Sequence, residues 1–159
     1  MTRSRSPSPT QRLQVVEKGG AQGYDQDRDS GKEGSSVKVL LDSSGWIEFF
    51  AGGPLAERYA AYLNSRYQLI TPTVVLHEVY KKIKRERGEE SALLLAGRLN
   101  ATEVIPLTDS IAFLAADLSL RHGLAMADAI VYATARDQQA EVITCDADLK
   151  DLPGVSYLR

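Results

Sequence analysis

Four acidic residues stand where a charged side chain is unexpected. Each interrupts or ends an apolar segment of the sequence: Asp42, Glu78, Asp128 and Asp146. A carboxylate in apolar surroundings costs free energy unless a positive charge compensates it. No lysine or arginine is adjacent to these acids in sequence, apart from Lys81 and Lys82 about one helical turn after Glu78. The four acids therefore predict a site for a divalent cation, and hard oxygen ligands suit Mg²⁺ or Mn²⁺.

Each acid also has a plainer explanation when it is taken alone. Asp42, Asp128 and Asp146 each precede a predicted helix and could cap it. Glu78 could be a solvated residue on the outside of a helix, and Asp148 competes with Asp146 for any role. One shared metal site explains all four placements together, whereas the separate explanations have to hold independently of one another.

Apolar periodicity and turn residues predict alternating strands and helices from residue 37 onward. The predicted strands are residues 37–41, 68–70, 103–107, 141–144 and 155–158. The predicted helices are residues 44–50, 54–65, 72–87 after a Thr71 cap, 89–100, 109–122 after a Thr108 cap, and 127–138. This order predicts an α/β domain with a parallel sheet of four or five short strands and helices on both faces. Asp42 and Asp146 then lie at the carboxyl ends of strands, where such sheets bind ligands.

Composition limits the classes of protein that need to be considered. The chain has 159 residues, 43% of them hydrophobic, which fits one domain with a tail. A net charge of −2 means that any nucleic-acid contact must come from a local basic patch. The single cysteine excludes an internal disulfide and a cysteine-based zinc site. No apolar run reaches the roughly 20 residues that span a bilayer, so we expect a soluble, cytoplasmic protein.

Residues 1–36 differ in composition from the rest of the chain. They contain only six hydrophobic residues, with six basic and five acidic ones. Such a segment cannot bury enough apolar area to offset the entropy lost on ordering. We therefore predict that residues 1–36 are disordered, or are an extension from a misplaced start codon, and that residues 37–159 form the domain.

Four blocks of sequence, in order and at consistent spacing, resemble PIN domains (PilT N-terminus-like), and especially the VapC toxins of bacterial toxin–antitoxin modules. The blocks are residues 40–48, 71–79, 123–135 and 142–149. Together they extend over essentially the whole predicted domain. Two positions depart from the pattern: Leu149 stands where many relatives have phenylalanine, and Cys145 where a basic residue is frequent.

The resemblance implies a metal-dependent endoribonuclease, the toxin of a type II toxin–antitoxin module. Asp42, Asp128 and Asp146 would be metal ligands for Mg²⁺ or Mn²⁺, and Glu78 would complete the catalytic cluster. Supporting roles would fall to small polar residues and a second acid: Ser43, Ser44, Thr144 and Asp148. The resemblance also implies an RNA substrate, a cognate antitoxin and a homodimer. Trp46, Phe49, Phe50, Tyr59 and Tyr62 are candidates to line an antitoxin groove, or else belong to the core.

A basic run follows Glu78 on the same predicted helix: Lys81, Lys82, Lys84, Arg85 and Arg87. We interpret it as a guide for the RNA backbone, with an ordinary solvated helix face as the alternative.

Other classes of protein fit the sequence less well. A dehalogenase-type phosphatase needs a second aspartate where Ser44 stands, and neither a P-loop nor a Gly-x-Ser-x-Gly elbow is present. The main alternative is a PIN scaffold with weak catalysis that binds RNA or a protein partner.

Overall fold

A five-stranded sheet forms the centre of the domain in the computed structural model, which describes residues 36–64 and 66–159. The strands are β1 (Val37–Leu41), β2 (Tyr67–Pro72), β3 (Glu103–Ile105), β4 (Glu141–Thr144) and β5 (Val155–Tyr157). Their order is β3-β2-β1-β4-β5, and all neighbouring pairs are parallel. The central strand β1 ends in three buried apolar residues, as expected for a strand covered on both faces.

The described residues also form six α-helices. These are α1 (Ser43–Ala51), α2 (Ala56–Ala60), α3 (Thr73–Arg87), α4 (Glu89–Asn100), α5 (Asp109–His122) and α6 (Met126–Asp137). A short 3-10 helix, Ala147–Leu149, lies between β4 and β5. The predicted α/β class, with five parallel strands flanked by helices, is confirmed.

The chain adds strands first on one side of β1 and then on the other. The position of this reversal in strand order determines where a ligand site is expected. The chain moves from β1 to β2 and β3 on one side, then returns to place β4 on the other side of β1. Right-handed crossovers in opposite directions place helices on opposite faces of a sheet. The helices that follow β1 and precede β4 therefore diverge, which leaves a crevice at the carboxyl ends of these two strands.

Two predicted helix boundaries are wrong, each for a local reason. The helix expected over residues 54–65 extends only from Ala56 to Ala60, because the Asn64 side chain hydrogen-bonds to nearby backbone groups instead. Thr71 and Pro72 were expected to begin a helix, but both belong to β2. The Thr71 hydroxyl is buried and lies 2.6 Å from the Thr102 hydroxyl, so it is not free to cap.

Two further expectations concern the N-terminal segment and the absence of a membrane-spanning helix. The predicted disorder or spurious origin of residues 1–36 falls outside the described residues, Ser36 excepted, and stays a prediction. In the part of the chain that the structure describes, no helix combines the length and the apolar character needed to cross a bilayer.

Candidate active site

Asp42 lies at the carboxyl end of β1 and is almost fully buried, with 2% of its surface exposed. Its backbone N–H donates to the Ile143 carbonyl of β4 at 3.2 Å, which continues the pairing of the two strands. The Asp42 side chain caps α1, because Oδ1 accepts the Ser43 backbone N–H at 2.6 Å. The capping explanation is therefore correct, but it uses only one of the two carboxylate oxygens.

The second oxygen of Asp42 accepts hydrogen bonds from two hydroxyls. Ser44 Oγ and Thr144 Oγ1 each donate to Oδ2 at 3.0 Å. Thr144 is fully buried at the end of β4, and its hydroxyl also accepts the backbone N–H of Asp146 at 2.9 Å. One threonine hydroxyl thus connects the segment that carries Asp146 to the side chain of Asp42. Ser43, by contrast, contributes mainly its backbone, since its hydroxyl is 3.4 Å from Oδ1.

Asp146 is half-buried and caps the 3-10 helix, where its Oδ1 accepts the Asp148 backbone N–H at 2.9 Å. Asp148 itself is exposed. Asp146 therefore resembles Asp42, since each caps the helical turn after a strand and lies at the crevice between β1 and β4.

Asp128 and Glu78 reach the same crevice from helices. Asp128 is the third residue of α6 and does not cap it, because Ala125 occupies the N-cap position. Burial, followed in decreasing order by the charges of Asp146, Asp42, Glu78 and Asp148, raises the pKa of Asp128 to about 6. Because charges affect a pKa only at short range, each of these acids lies near Asp128. The structure therefore brings the acids of four separate segments together.

The side chains of these acids do not converge on a single point, as the ligands of one metal ion would. Among residues 36–64 and 66–159, no three acidic, histidine or cysteine groups converge closely enough to ligate a single ion. The ion pairs that the described lysines and arginines form do not include these acids. Within the described part of the chain, the clustered negative charge has no ion-pair partner. Clustered carboxylate oxygens are the ligand type that hard divalent cations prefer.

The basic run lies on α3 beyond Glu78, and its members fall on two sides of the helix. Lys81, Lys82 and Arg85 follow Glu78 by three, four and seven residues, so they share its face. Lys84 and Arg87 lie on other sides. Ion pairs involve Lys82 and Glu86 at 2.6 Å, Lys84 and Glu89 at 2.8 Å, and Arg85 and Glu86 at 3.8 Å.

The aromatic residues considered for an antitoxin groove are mostly core. Trp46, Phe49, Phe50 and Tyr59 are each less than 5% exposed, and Tyr62 is partly buried. Sequence reasoning also missed the role of Gly45, where a Cβ atom would lie 2.5 Å from Cε1 of the Tyr59 ring. No pattern in the sequence pairs these two residues, because the contact exists only once α2 folds back on α1.

Comparisons with known proteins identify a matching family and several solved structures with a similar fold. A family model described as PIN domain matches residues 39–155. A toxin–antitoxin complex from Klebsiella pneumoniae is 25% identical with a TM-score of 0.64, over 74% of this chain and 95% of that one. VapC20 from Mycobacterium tuberculosis, described as a sarcin–ricin loop cleaving toxin, is 20% identical with a TM-score of 0.59, over 70% and 91%.

A further similar structure is VapBC2 from Rickettsia felis bound to a promoter DNA fragment, at 14% identity and a TM-score of 0.62, over 77% and 100%. No curated protein sequence matches the chain. The family model extends over most of the chain, so the chain belongs to the PIN-domain family, and its structural neighbours include VapC-type toxins.

The raised pKa of Asp128 leads to a pH-dependent prediction for stability. The folded-state pKa of about 6 exceeds the roughly 3.9 of an unfolded aspartate, so the folded state loses stability as the pH rises through 6. We expect Asp128→Asn, in EDTA, to increase the free energy of unfolding by roughly 1–2 kcal/mol at about pH 7.5 after solvent screening, and to change it little at about pH 4.

Urea denaturation at the two pH values measures this difference. Asp137→Asn, an exposed acid at the far end of α6, is the matched control and should show no such pH dependence. A loss of stability in Asp128→Asn at the higher pH would contradict the electrostatic clustering.

Proposed function

We propose that this protein is a Mg²⁺- or Mn²⁺-dependent endoribonuclease, the toxin component of a type II toxin–antitoxin module. The observation that carries the proposal is the buried Asp42 carboxylate. Two hydroxyls and a backbone N–H hold it at the strand-order reversal, and its charge raises the pKa of Asp128. A protein that only bound a partner would have no need of uncompensated carboxylates in this position.

The proposed ligands are Asp42, Asp128 and Asp146, with Glu78 completing the cluster directly or through water. A bound Mg²⁺ or Mn²⁺ would lower the pKa of a water molecule and neutralise charge on the scissile phosphate. The protein's own contribution is orientation. Ser44 and Thr144 fix Asp42, while Thr144 and the cap of the 3-10 helix fix the segment of Asp146.

Two relatives support RNA as the substrate and an antitoxin as the partner. The Mycobacterium tuberculosis neighbour is described as cleaving the sarcin–ricin loop, and the Klebsiella pneumoniae neighbour was solved as a toxin–antitoxin complex. We carry both roles to this chain as part of the proposal, and place the protein in the cytoplasm, where such RNA is found.

Two apolar surfaces are available for partners. A groove of about 160 Å³ is lined by Leu63 and Leu69 together with the small exposed parts of the core residues Trp46 and Phe49, and we assign it to an apolar segment of the antitoxin. Exposed Phe113 and Leu120 lie seven residues apart on one face of α5, and exposed Leu107 and Met126 line a groove with other residues of the same helix. A patch of this kind marks an interaction surface, and we assign it to the homodimer. The mass of the protein, alone and co-expressed with the product of a neighbouring small reading frame, tests both assignments.

Metal-dependent cleavage is the direct test of the enzyme. We expect the wild-type protein to cleave a structured RNA with Mg²⁺ or Mn²⁺ and not with EDTA. Asp42→Asn should lose at least about 100-fold in rate, because the amide is a poor ligand for a hard cation. Asparagine caps a helix as well as aspartate does, so α1 should remain folded.

Asp117→Asn, which removes an exposed acid of α5, is the matched control and should cleave like wild type. Equal cleavage by wild type and Asp42→Asn would contradict the assigned site. If neither protein cleaved any RNA of a broad panel but both bound it, the alternative of a catalytically weak PIN scaffold would be favoured.

The basic face of α3 gives a second prediction about function. Lys81→Glu with Arg85→Glu reverses two charges on the Glu78 face and should weaken RNA binding about tenfold or more. It should also reduce the magnitude of the slope of log affinity against log salt by about 2, roughly one for each lost phosphate contact. Lys84→Glu with Arg87→Glu makes the same change in net charge on other sides of α3 and serves as control. If both double variants changed RNA binding and the salt slope equally, the basic residues would attract RNA through their overall charge alone. A guiding face on α3 would then be excluded.

A further inference from the structure

Tyr157 lies beside the acid crevice, the crevice between β1 and β4 that receives the four acids. It pairs with Thr144 in the register of β4 and β5, and the next residue, Leu158, donates its backbone N–H to the Thr144 carbonyl at 2.8 Å. Side chains at paired positions of neighbouring strands project to the same face of a sheet. The half-buried Tyr157 ring is therefore on the same face as the Thr144 hydroxyl, which donates to Asp42 Oδ2 at 3.0 Å.

Lys150 is an exposed residue that ends the 3-10 helix, four positions after Asp146, and its side chain extends to the Tyr157 ring. The Nζ atom lies 5.5 Å from the centroid of that ring, a distance at which an aromatic ring attracts a cation. None of the ion pairs among the described residues includes Lys150, although Asp148 and Asp151 are acidic neighbours in sequence. The ammonium group is therefore held over an aromatic ring, and its charge stays available to a ligand.

A tight turn after the 3-10 helix orients the backbone of Lys150. Leu152 donates its backbone N–H to the Leu149 carbonyl at 3.4 Å, so Lys150 and Asp151 are the two central residues of this turn. Lys150 is extended at φ −57° and ψ 145°, and Asp151 has a positive φ of 69°, which is the pattern of a type II turn. Leu149 is fully buried and anchors the turn in the core. The position of Lys150 thus depends on a defined turn that follows directly from the segment of Asp146.

The charges around the acid crevice indicate what this cation could bind. Clustered acids repel an RNA phosphate, so the substrate needs positive charge at the edges of the crevice. The basic face of α3 approaches from the side of β2, whereas Lys150 lies between β4 and β5. The strand order places β2 and β4 on opposite sides of β1. An RNA strand that crossed the acids from α3 toward β5 would therefore meet Lys150 on leaving the crevice.

We propose that Lys150 binds the RNA phosphate backbone on the β5 side of the acid crevice, and that Tyr157 is the positioning residue that holds its ammonium group there. A lysine acts on phosphate as a point charge on a flexible stem, so the ring restricts where that charge lies. The inference rests on the proposed function, because it names a second contact for the same RNA substrate. This contact contributes to binding and not to the chemical step, so its loss should raise KM and leave kcat nearly unchanged.

RNA binding by the Asp42→Asn protein, which the proposed function expects to cleave very slowly, tests Lys150 directly. Adding Lys150→Gln removes one phosphate contact. RNA affinity should fall about five- to eightfold at roughly 0.1 M salt, and the magnitude of the slope of log affinity against log salt should fall by roughly 0.7–0.9. Lys38→Gln, the same substitution at the amino end of β1, is the matched control and should change neither quantity. Equal effects of the two substitutions would overturn the inference.

A double-variant cycle in the same parent protein tests the role of Tyr157. Tyr157→Phe keeps the aromatic face and should bind RNA nearly as the parent does, whereas Tyr157→Leu removes that face and should weaken binding. Combining Tyr157→Leu with Lys150→Gln should produce no greater loss than Lys150→Gln alone. Losses that multiply would overturn the positioning role, because the ring would then contact RNA by itself. A loss in Tyr157→Phe as large as that in Lys150→Gln would also overturn it, because the hydroxyl would be responsible.

Failure of the inference and failure of the proposed function give different results. If the Asp42→Asn protein bound no RNA of a broad panel, the proposed function would fail, and the inference with it. If this protein bound RNA and the addition of Lys150→Gln changed binding no more than Lys38→Gln did, the inference alone would be overturned.

Discussion

Repulsion between carboxylates that the fold holds together is the physical constraint on which the rest of this structure depends. Asp42 is nearly inaccessible to water. Burial is the largest cause of the raised pKa of Asp128, and the charges of Asp146, Asp42, Glu78 and Asp148 add to it. No described basic side chain relieves this repulsion. The free energy that the rest of the domain gains on folding must therefore offset it, and a cation would relieve it directly.

The hydrogen bonds of Asp42 explain how such a cluster is tolerated without a basic partner in the described part of the chain. Its hydrogen bonds come from a backbone N–H and two hydroxyls, which are neutral donors. These donors satisfy the buried oxygens without adding a positive charge. An arginine in the same place would stabilise Asp42 equally well but would cancel the charge that attracts a metal ion. Neutral donors thus stabilise the buried Asp42 side chain and keep the negative charge on which the proposed chemistry depends.

Topology is what makes these contacts possible. Ser44 and Thr144 come from opposite ends of the domain sequence, and they meet because β1 and β4 are neighbours in the sheet. The crevice between the helices that follow β1 and precede β4 receives Asp128 from α6 and Glu78 from α3. Each acid is therefore positioned by a different element, so the cluster forms only when β1, β4, α3 and α6 have packed together.

Much of this arrangement could be predicted from sequence, since the strands that carry Asp42 and Asp146 are marked by apolar runs with an acid at the end. The limits of β1 and β4 followed from the same pattern. Contacts that depend on tertiary packing could not be predicted. The length of α2 depends on Asn64, the strand position of Thr71 depends on Thr102, and the burial of Tyr59 depends on Gly45. In each case the outcome depends on a contact that the local sequence pattern does not encode.

The central claim is that these separated acids form one cation site. A crystal structure of the protein grown with Mn²⁺, measured for anomalous scattering near the manganese absorption edge, tests it most directly. The account predicts an anomalous peak in the crevice between β1 and β4, about 2.0–2.3 Å from oxygens of both Asp42 and Asp128. A peak bound elsewhere, or no peak in this crevice at saturating Mn²⁺, would contradict it.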